Sequence, residues 1–150
     1  MTLRARKLFE VDMDKNKAFE LLGKAIEARE GAYAPYSNFY VGAALLCADG
    51  EIITGANVEN SSYGGAICAE RVAITNAVTH GRRDFEAIAI VGALKGQSPT
   101  ETCMPCGICR QFMCEFCSSD FKIVLADGEN VKIYTMGDLL PHSFDAAALK

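Results

Sequence analysis

Two short stretches, Cys68-Ala69-Glu70-Arg71 and Pro105-Cys106-Gly107-Ile108-Cys109, constrain this chain more than anything else in it. They lie far apart in sequence, so their chemistry exists only in a fold that brings them to one place. Zinc takes thiolates in a tetrahedron, and a catalytic zinc keeps one corner open for water, so three protein ligands is the expected number. Cys68, Cys106 and Cys109 supply three, for one zinc per chain. Glu70, two positions past Cys68 on the same helical turn, projects away from that metal and is left for proton transfer. Either stretch alone is weak, since C-x-x-C also serves redox and structural zinc sites. The alternative is a buried Cys68 beside an unrelated metal clip at Cys106 and Cys109.

At 150 residues and 16.2 kDa the chain has the size of one domain with a core of its own. Hydrophobic residues make up 50% and charged ones 23%, as expected of a folded soluble protein. A net charge of −4 disfavours a polyanion, whose phosphates need Lys and Arg, so no nucleic-acid partner is expected. No apolar run is long enough for a bilayer and no secretory leader is visible, so no membrane partner is expected either. Seven cysteines, an odd count, fit a reducing cytoplasmic compartment, where clustered thiols mean metal more often than disulfide. The basic start Leu3-Arg4-Ala5-Arg6-Lys7 is followed at once by Glu10, Asp12 and Asp14. Residues 1–12 therefore read as a solvated N-terminal extension to a single domain over 1–150.

Ala18, Leu21, Leu22, Ala25 and Ile26 recur at three- and four-residue spacing, predicting a first helix that is capped near Asp12 to Asp14 and ended by Gly31. Ala34 to Asn38 is a loop, and Val41 to Cys47 with Ile52 to Asn57 form a hairpin through Asp49-Gly50. A second helix spans 67–79 and stops at His80-Gly81, where the histidine is structural. A buried strand over 85–91, an exposed loop over 95–102 and a helix over 107–117 follow. Strands over 121–125 and 131–134 and a short helix at 137–140 complete the chain. This alternation predicts an α/β fold, a three-layer α/β/α arrangement around a five-stranded mixed sheet.

Both cysteine stretches then fall at helix starts, where unpaired N–H groups and the helix dipole favour thiolates. Three thiolates and a divalent zinc leave one net negative charge, which blunts the metal as a Lewis acid unless something positive compensates. Arg71 is the nearest candidate, against a reading as an exposed helix arginine, and Gln111 is a candidate donor to a ligand sulfur. Cys47, Cys114 and Cys117 read as small packed residues, and Cys103 as a loop thiol open to oxidation if exposed.

Further segments carry a resemblance over nearly all of the chain: Pro35-Tyr36-Ser37-Asn38-Phe39-Tyr40-Val41-Gly42-Ala43-Ala44-Leu45, Asn57-Val58-Glu59-Asn60 through Tyr63, and Leu139-Leu140-Pro141-His142-Ser143-Phe144. With the two cysteine motifs, the chain resembles the cytidine deaminases of the small, zinc-dependent, homotetrameric class. The resemblance implies hydrolytic deamination of cytidine and 2′-deoxycytidine to uridine and 2′-deoxyuridine with release of ammonia, Glu70 carrying the protons. It implies that Phe39 packs on the pyrimidine, that Asn57 and Glu59 hydrogen-bond the ribose 3′-hydroxyl, and that the Ala69 backbone helps to hold the base. Tyr63 and Phe144 are implied to reach a neighbouring subunit's pocket, so that active sites are shared within a homotetramer.

From the residues alone, Phe39 and Phe144 suit a core, and Asn57 and Glu59 a turn. A blasticidin-S-type antibiotic deaminase is the alternative activity. It would share Cys68, Glu70, Cys106 and Cys109, but the Phe39 segment and the Asn57/Glu59 pair suit a nucleoside better. A non-catalytic zinc module has no use for Glu70 beside an open metal corner.

Overall fold

The computed structural model describes residues 13–150, so the expected extension over residues 1–12 lies outside the described residues. Five strands, β1 (Phe39–Cys47), β2 (Ile52–Ala56), β3 (Phe85–Leu94), β4 (Lys122–Asp127) and β5 (Asn130–Thr135), form one sheet in the order β2-β1-β3-β4-β5. β3 and β4 run parallel and the other neighbours antiparallel, which makes the sheet mixed. The parallel step requires a crossover, and helix α3 (Gly107–Phe116) lies in it. A short helix, α4 (Met136–Leu139), follows β5.

Successive strand residues face opposite sides, and the sequence uses both. Ala44 and Leu46 of β1 meet Ala87, Ala89 and Val91 of β3 under helix α1 (Lys15–Arg29), which contributes Ala18, Leu21, Leu22 and Ala25. Ala43 and Leu45 with Ile88, Ile90, Ile123 and Leu125 face the other way, under helix α2 (Ala69–Thr79) and Met113 of α3. The expected three-layer α/β/α arrangement is what the chain adopts.

Two glycines let helices lie close on the sheet. A Cβ at Gly42 would collide with Ala25 O in α1, and one at Gly55 would stand 2.6 Å from Ala73 N and 2.7 Å from Ala69 O in α2. Gly55 thus seats the first turn of α2, where one cysteine stretch begins.

Helix α1 is capped by Asp14, whose side chain accepts from Asn16 N. His80 caps α2, with its Nδ1 2.8 Å from Asn76 O. Three differences from the sequence reading have physical causes. Ile26 is 43% exposed, because the buried stripe of α1 follows Ala18, Leu21, Leu22 and Ala25, and Ile26 falls at its edge. β1 begins at Phe39 and β3 runs on to Leu94 because these ends pair with each other, Phe39 opposite Leu94 and Tyr40 opposite Ala93. Ladder hydrogen bonds carry the strand pair past Gly92, where the run of large apolar residues in β3 is interrupted.

Candidate active site

Cys68 and Cys106 are the N-cap residues of α2 and α3, and Cys109 lies in the first turn of α3. The two helix starts meet over one face of the sheet, and the three sulfurs lie within 4.8 Å of one another. Cys68 Sγ and Cys106 Sγ are 3.9 Å apart. Two thiolates on a tetrahedral zinc at about 2.3 Å are about 3.8 Å apart, so the donor set fits this ion in both type and spacing. Cys109 is buried, Cys68 half-buried and Cys106 exposed, so the trio opens toward solvent on the Cys106 side.

Without a metal the sulfurs divide their protons unequally. The hydrogen bond from Cys109 holds the Cys68 thiol down at about 5, with Arg71 adding to the effect. The same bond, and then burial, pushes Cys109 up. Arg71 and the neighbouring thiols favour a thiolate at Cys68, and both Cys68 and Cys106 stand at helix N-caps, where the positive end of the dipole supports negative charge.

Glu70 stands in the first turn of α2 and is only 3% exposed. Burial raises its carboxyl above the usual range, with the neighbouring Cys109 thiol opposing. A carboxyl lifted toward neutrality beside a metal trio is equipped to accept and return a proton. Arg71 Nη2 lies 3.6 Å from Cys68 Sγ, so the guanidinium faces the sulfurs. Arg71 Nε is buried without a hydrogen-bond partner among the described residues.

Gln111 does not serve a sulfur. Its Nε2 donates to Phe144 O at 2.8 Å, tying the C-terminal segment to α3, because the side chain leaves the helix on the side where that segment crosses. Cys103 is likewise not an open loop thiol. Its sulfur packs with the Phe39 ring around Gly92, and burial lifts it to about 11.

The remaining expected site residues surround this centre unevenly. The carboxamide of Asn57 bridges the start of β1, Nδ2 donating to Phe39 O and Oδ1 accepting from Val41 N, both at 2.9 Å. Glu59 Oε1 accepts from Tyr36 N and Ser37 N, and bonding to Ser37 holds this carboxyl below its ordinary value. A cleft of about 310 Å³ lies over it, lined by Tyr36, Ser37, Glu59, Asn60, Tyr63 and Ala66. Ala69 is fully buried as the first residue of α2, where the N–H has no partner inside the helix. Tyr63 and Phe144 are 78% and 62% exposed, and Tyr63 meets Tyr36 edge-on at 5.9 Å. Phe39 is 38% exposed.

One residue that sequence reasoning missed holds the second cysteine stretch in place. Arg110 Nε donates to Pro105 O at 2.8 Å and Nη1 to Leu139 O at 2.9 Å, fixing the turn before Cys106 against α4. Its position next to Cys109 is the available signal, but spacing does not reveal which carbonyls a guanidinium reaches.

Comparison with known proteins gives one consistent family. The model of the cytidine and deoxycytidylate deaminase zinc-binding region matches residues 15–125. A cytidine deaminase of Halalkalibacterium halodurans is 50% identical over 127 residues, 84% of this chain and 92% of that one. The crystal structure of cytidine deaminase from Burkholderia pseudomallei superposes with a TM-score of 0.76 at 46% identity, covering 84% of this chain and 98% of that one. A blasticidin-S deaminase of Bacillus cereus is more distant, 31% identical over 105 residues, 68% of this chain and 74% of that one.

Proposed function

The chain belongs to the zinc-dependent cytidine and deoxycytidylate deaminase family, and from that premise we propose that it deaminates cytidine and 2′-deoxycytidine by hydrolysis, with Glu70 as its general acid and base. The observation that carries the reading is the meeting of three sulfurs within 4.8 Å of one another beside a carboxyl only 3% exposed. Cys68, Cys106 and Cys109 would hold one zinc. When bound there, zinc supplies Lewis acidity and lowers the pKa of its water, making a nucleophile available near neutral pH.

The reaction takes up one water and releases ammonia. Glu70 accepts a proton from that water and places it on N3 of the pyrimidine. As the water oxygen bonds to C4, Glu70 takes the second proton of that water and passes it to the 4-amino group, which leaves as ammonia when its bond to C4 breaks. Burial raises the proton affinity of the carboxyl, which favours its taking a proton up before handing it on. Arg71 offsets thiolate charge at Cys68. The Ala69 N–H and the Phe39 ring hold the base. Glu59, and Asn57 through its second amide hydrogen, receive the ribose 3′-hydroxyl.

The same reading makes the enzyme a cytoplasmic homotetramer of pyrimidine salvage in which Tyr63 and Phe144 complete a neighbour's pocket. Support comes from two large aromatic rings left open to solvent on a single chain. No helix among the described residues is long and apolar enough to cross a membrane.

Incubating purified protein with cytidine should give uridine and ammonia in equal amounts, with one zinc per chain, and Cys68→Ala should lose the metal. A higher kcat/KM for blasticidin S than for cytidine would replace this activity by the antibiotic one. Turnover of neither would leave a zinc-binding module.

A further inference from the structure

Arg29 ends α1 on the face of the sheet opposite the metal trio, and it is only 3% exposed. A basic residue in a last helical turn ordinarily stays in water and meets the negative end of its own helix dipole. Arg29 instead reaches into the sheet. Its Nε donates to Tyr40 O at 3.2 Å, Nη1 to Gln97 O at 3.0 Å, and Nη2 to Ala93 O at 3.0 Å and Leu94 O at 3.1 Å. Among the described residues the one carboxylate paired with it, Glu30 at 3.8 Å, is itself exposed. Desolvating a guanidinium is costly, and an apolar side chain would seal the same place more cheaply. What an apolar residue cannot do is fix four carbonyls from three segments in one plane. Five N–H groups in a rigid fork do this, and a lysine ammonium with three rotatable donors does so less well.

Those carbonyls belong to the start of β1, the end of β3 and the loop between β3 and the second cysteine stretch. In the ladder Phe39 stands opposite Leu94 and Tyr40 opposite Ala93, so the fork grips the residues next to Phe39 and across from it. Phe39 itself points to the other face. Its ring lies over Gly92, where a Cβ would stand 2.7 Å from Phe39 Cε1 and 2.8 Å from Cys103 Sγ. Beyond the ring is a cavity of about 360 Å³, whose lining includes Leu94, Gln97 and Thr102. With a cavity on one side, the ring rests on Gly92 beside Cys103 Sγ, and a shift of the strand that carries it would move it over that open space. Cys103, its neighbour, packs against the core cluster that contains Ala69 and Ala73 of α2, so this wall adjoins the helix that begins at Cys68 and carries Glu70.

We propose that Arg29 is a positioning residue for Phe39, holding from the far face of the sheet the strand ends that carry the ring. The inference rests on the reading of Phe39 as the residue that packs on the pyrimidine. The test is a double-mutant cycle in the zinc-loaded enzyme, measuring KM and kcat for cytidine, zinc content and Tm for Arg29→Met, Phe39→Ala and the pair.

Arg29→Met should raise KM by about two- to tenfold, the worth of an aromatic contact, and no more than Phe39→Ala does. Zinc content and kcat should change little. In the Phe39→Ala background Arg29→Met should leave KM where it is while still lowering Tm. If the Met variant does not fold, Arg29→Lys in both backgrounds provides the same cycle with a smaller rise. An equal rise in KM with and without the ring, or a lowered Tm with unchanged KM, would overturn the proposal. If Phe39→Ala alone leaves KM unchanged, the reading of Phe39 fails and the proposal falls with it, a result distinct from the other two.

Discussion

Replacing Gly55 by alanine should damage the active site from below, through the floor on which α2 rests. The added Cβ would stand 2.6 Å from Ala73 N and 2.7 Å from Ala69 O, both backbone atoms of α2 that cannot rotate away. Ordinary contact begins at 3.4 Å, so the helix must rise by about 0.8 Å. Overpacking of this kind costs roughly 1–3 kcal/mol. At roughly 2–4 °C per kcal/mol for a chain of this size, Tm should fall by about 5 °C. Activity should suffer more, because the displaced turn carries Cys68 and Glu70 while Cys106 and Cys109 stay on α3. A misplacement of about 1 Å can cost on the order of 10²-fold, so a loss of tens-fold in kcat/KM is expected. Thermal unfolding, zinc analysis and steady-state kinetics with cytidine would be compared with Gly23→Ala, where nothing lies within 4 Å of the new Cβ. That control should gain about 0.5–1 kcal/mol of helix stability and keep full activity. A lowered Tm with unchanged kcat/KM at full zinc loading would refute the coupling between this floor and the site.

Glu70→Gln should fold and keep its zinc but lose roughly 10²- to 10⁴-fold in kcat, and near-normal turnover would sink the proton-transfer role. Burial lifts Cys117 to about 12 and Cys103 to about 11, against 9.0 for a free thiol, so both are neutral in the fold over a range where the unfolded chain ionises them. Their contribution is therefore complete below pH 9 and is lost as pH rises through 11 to 12; Tm should fall over that window less steeply in Cys117→Ala. In the proposed homotetramer, assemblies re-formed from Glu70→Ala and Phe144→Ala chains should exceed the average of the two parents, since there a site with its own Glu70 borrows a neighbour's ring. Activity at the parental average, with subunit exchange verified by mass spectrometry, would confine Phe144 to its own chain.

The metal trio was legible because ligand chemistry restricts both residue type and spacing, and a thiol at a helix start is readable from the pattern on either side of it. That the sheet carries helices on both faces was legible from strands alternating with helices along the chain, but which residue faces which side was not, because Ala43-Ala44-Leu45-Leu46 is apolar at every position. Arg29 and Arg110 were not, since a guanidinium that binds backbone carbonyls follows no spacing rule. In sequence, Arg29 is simply a basic residue ending a helix. The ends of β1 and β3 were missed because pairing, not apolar pattern, decides them. Gln111 and Cys103 were assigned from nearness in sequence to the ligands, and α3 directs Gln111 toward Phe144 O instead.

Charge gives the site its remaining logic. Three thiolates and a divalent ion leave one net negative charge, and a second carboxylate beside them would add to it. Two features of this chain answer that. Glu70 is buried, and burial raises its carboxyl above the usual range by disfavouring the charged form. Arg71 follows it directly, with Nη2 3.6 Å from Cys68 Sγ and an Nε–H left without a partner among the described residues. On the proposed reading, a guanidinium beside the Cys68 sulfur offsets part of the thiolate charge. On the proposed roles, placing Cys68, Glu70 and Arg71 at the start of α2 brings ligand, proton carrier and counter-charge to the same point through a single helix start. The seat of that start at Gly55 then governs all three together.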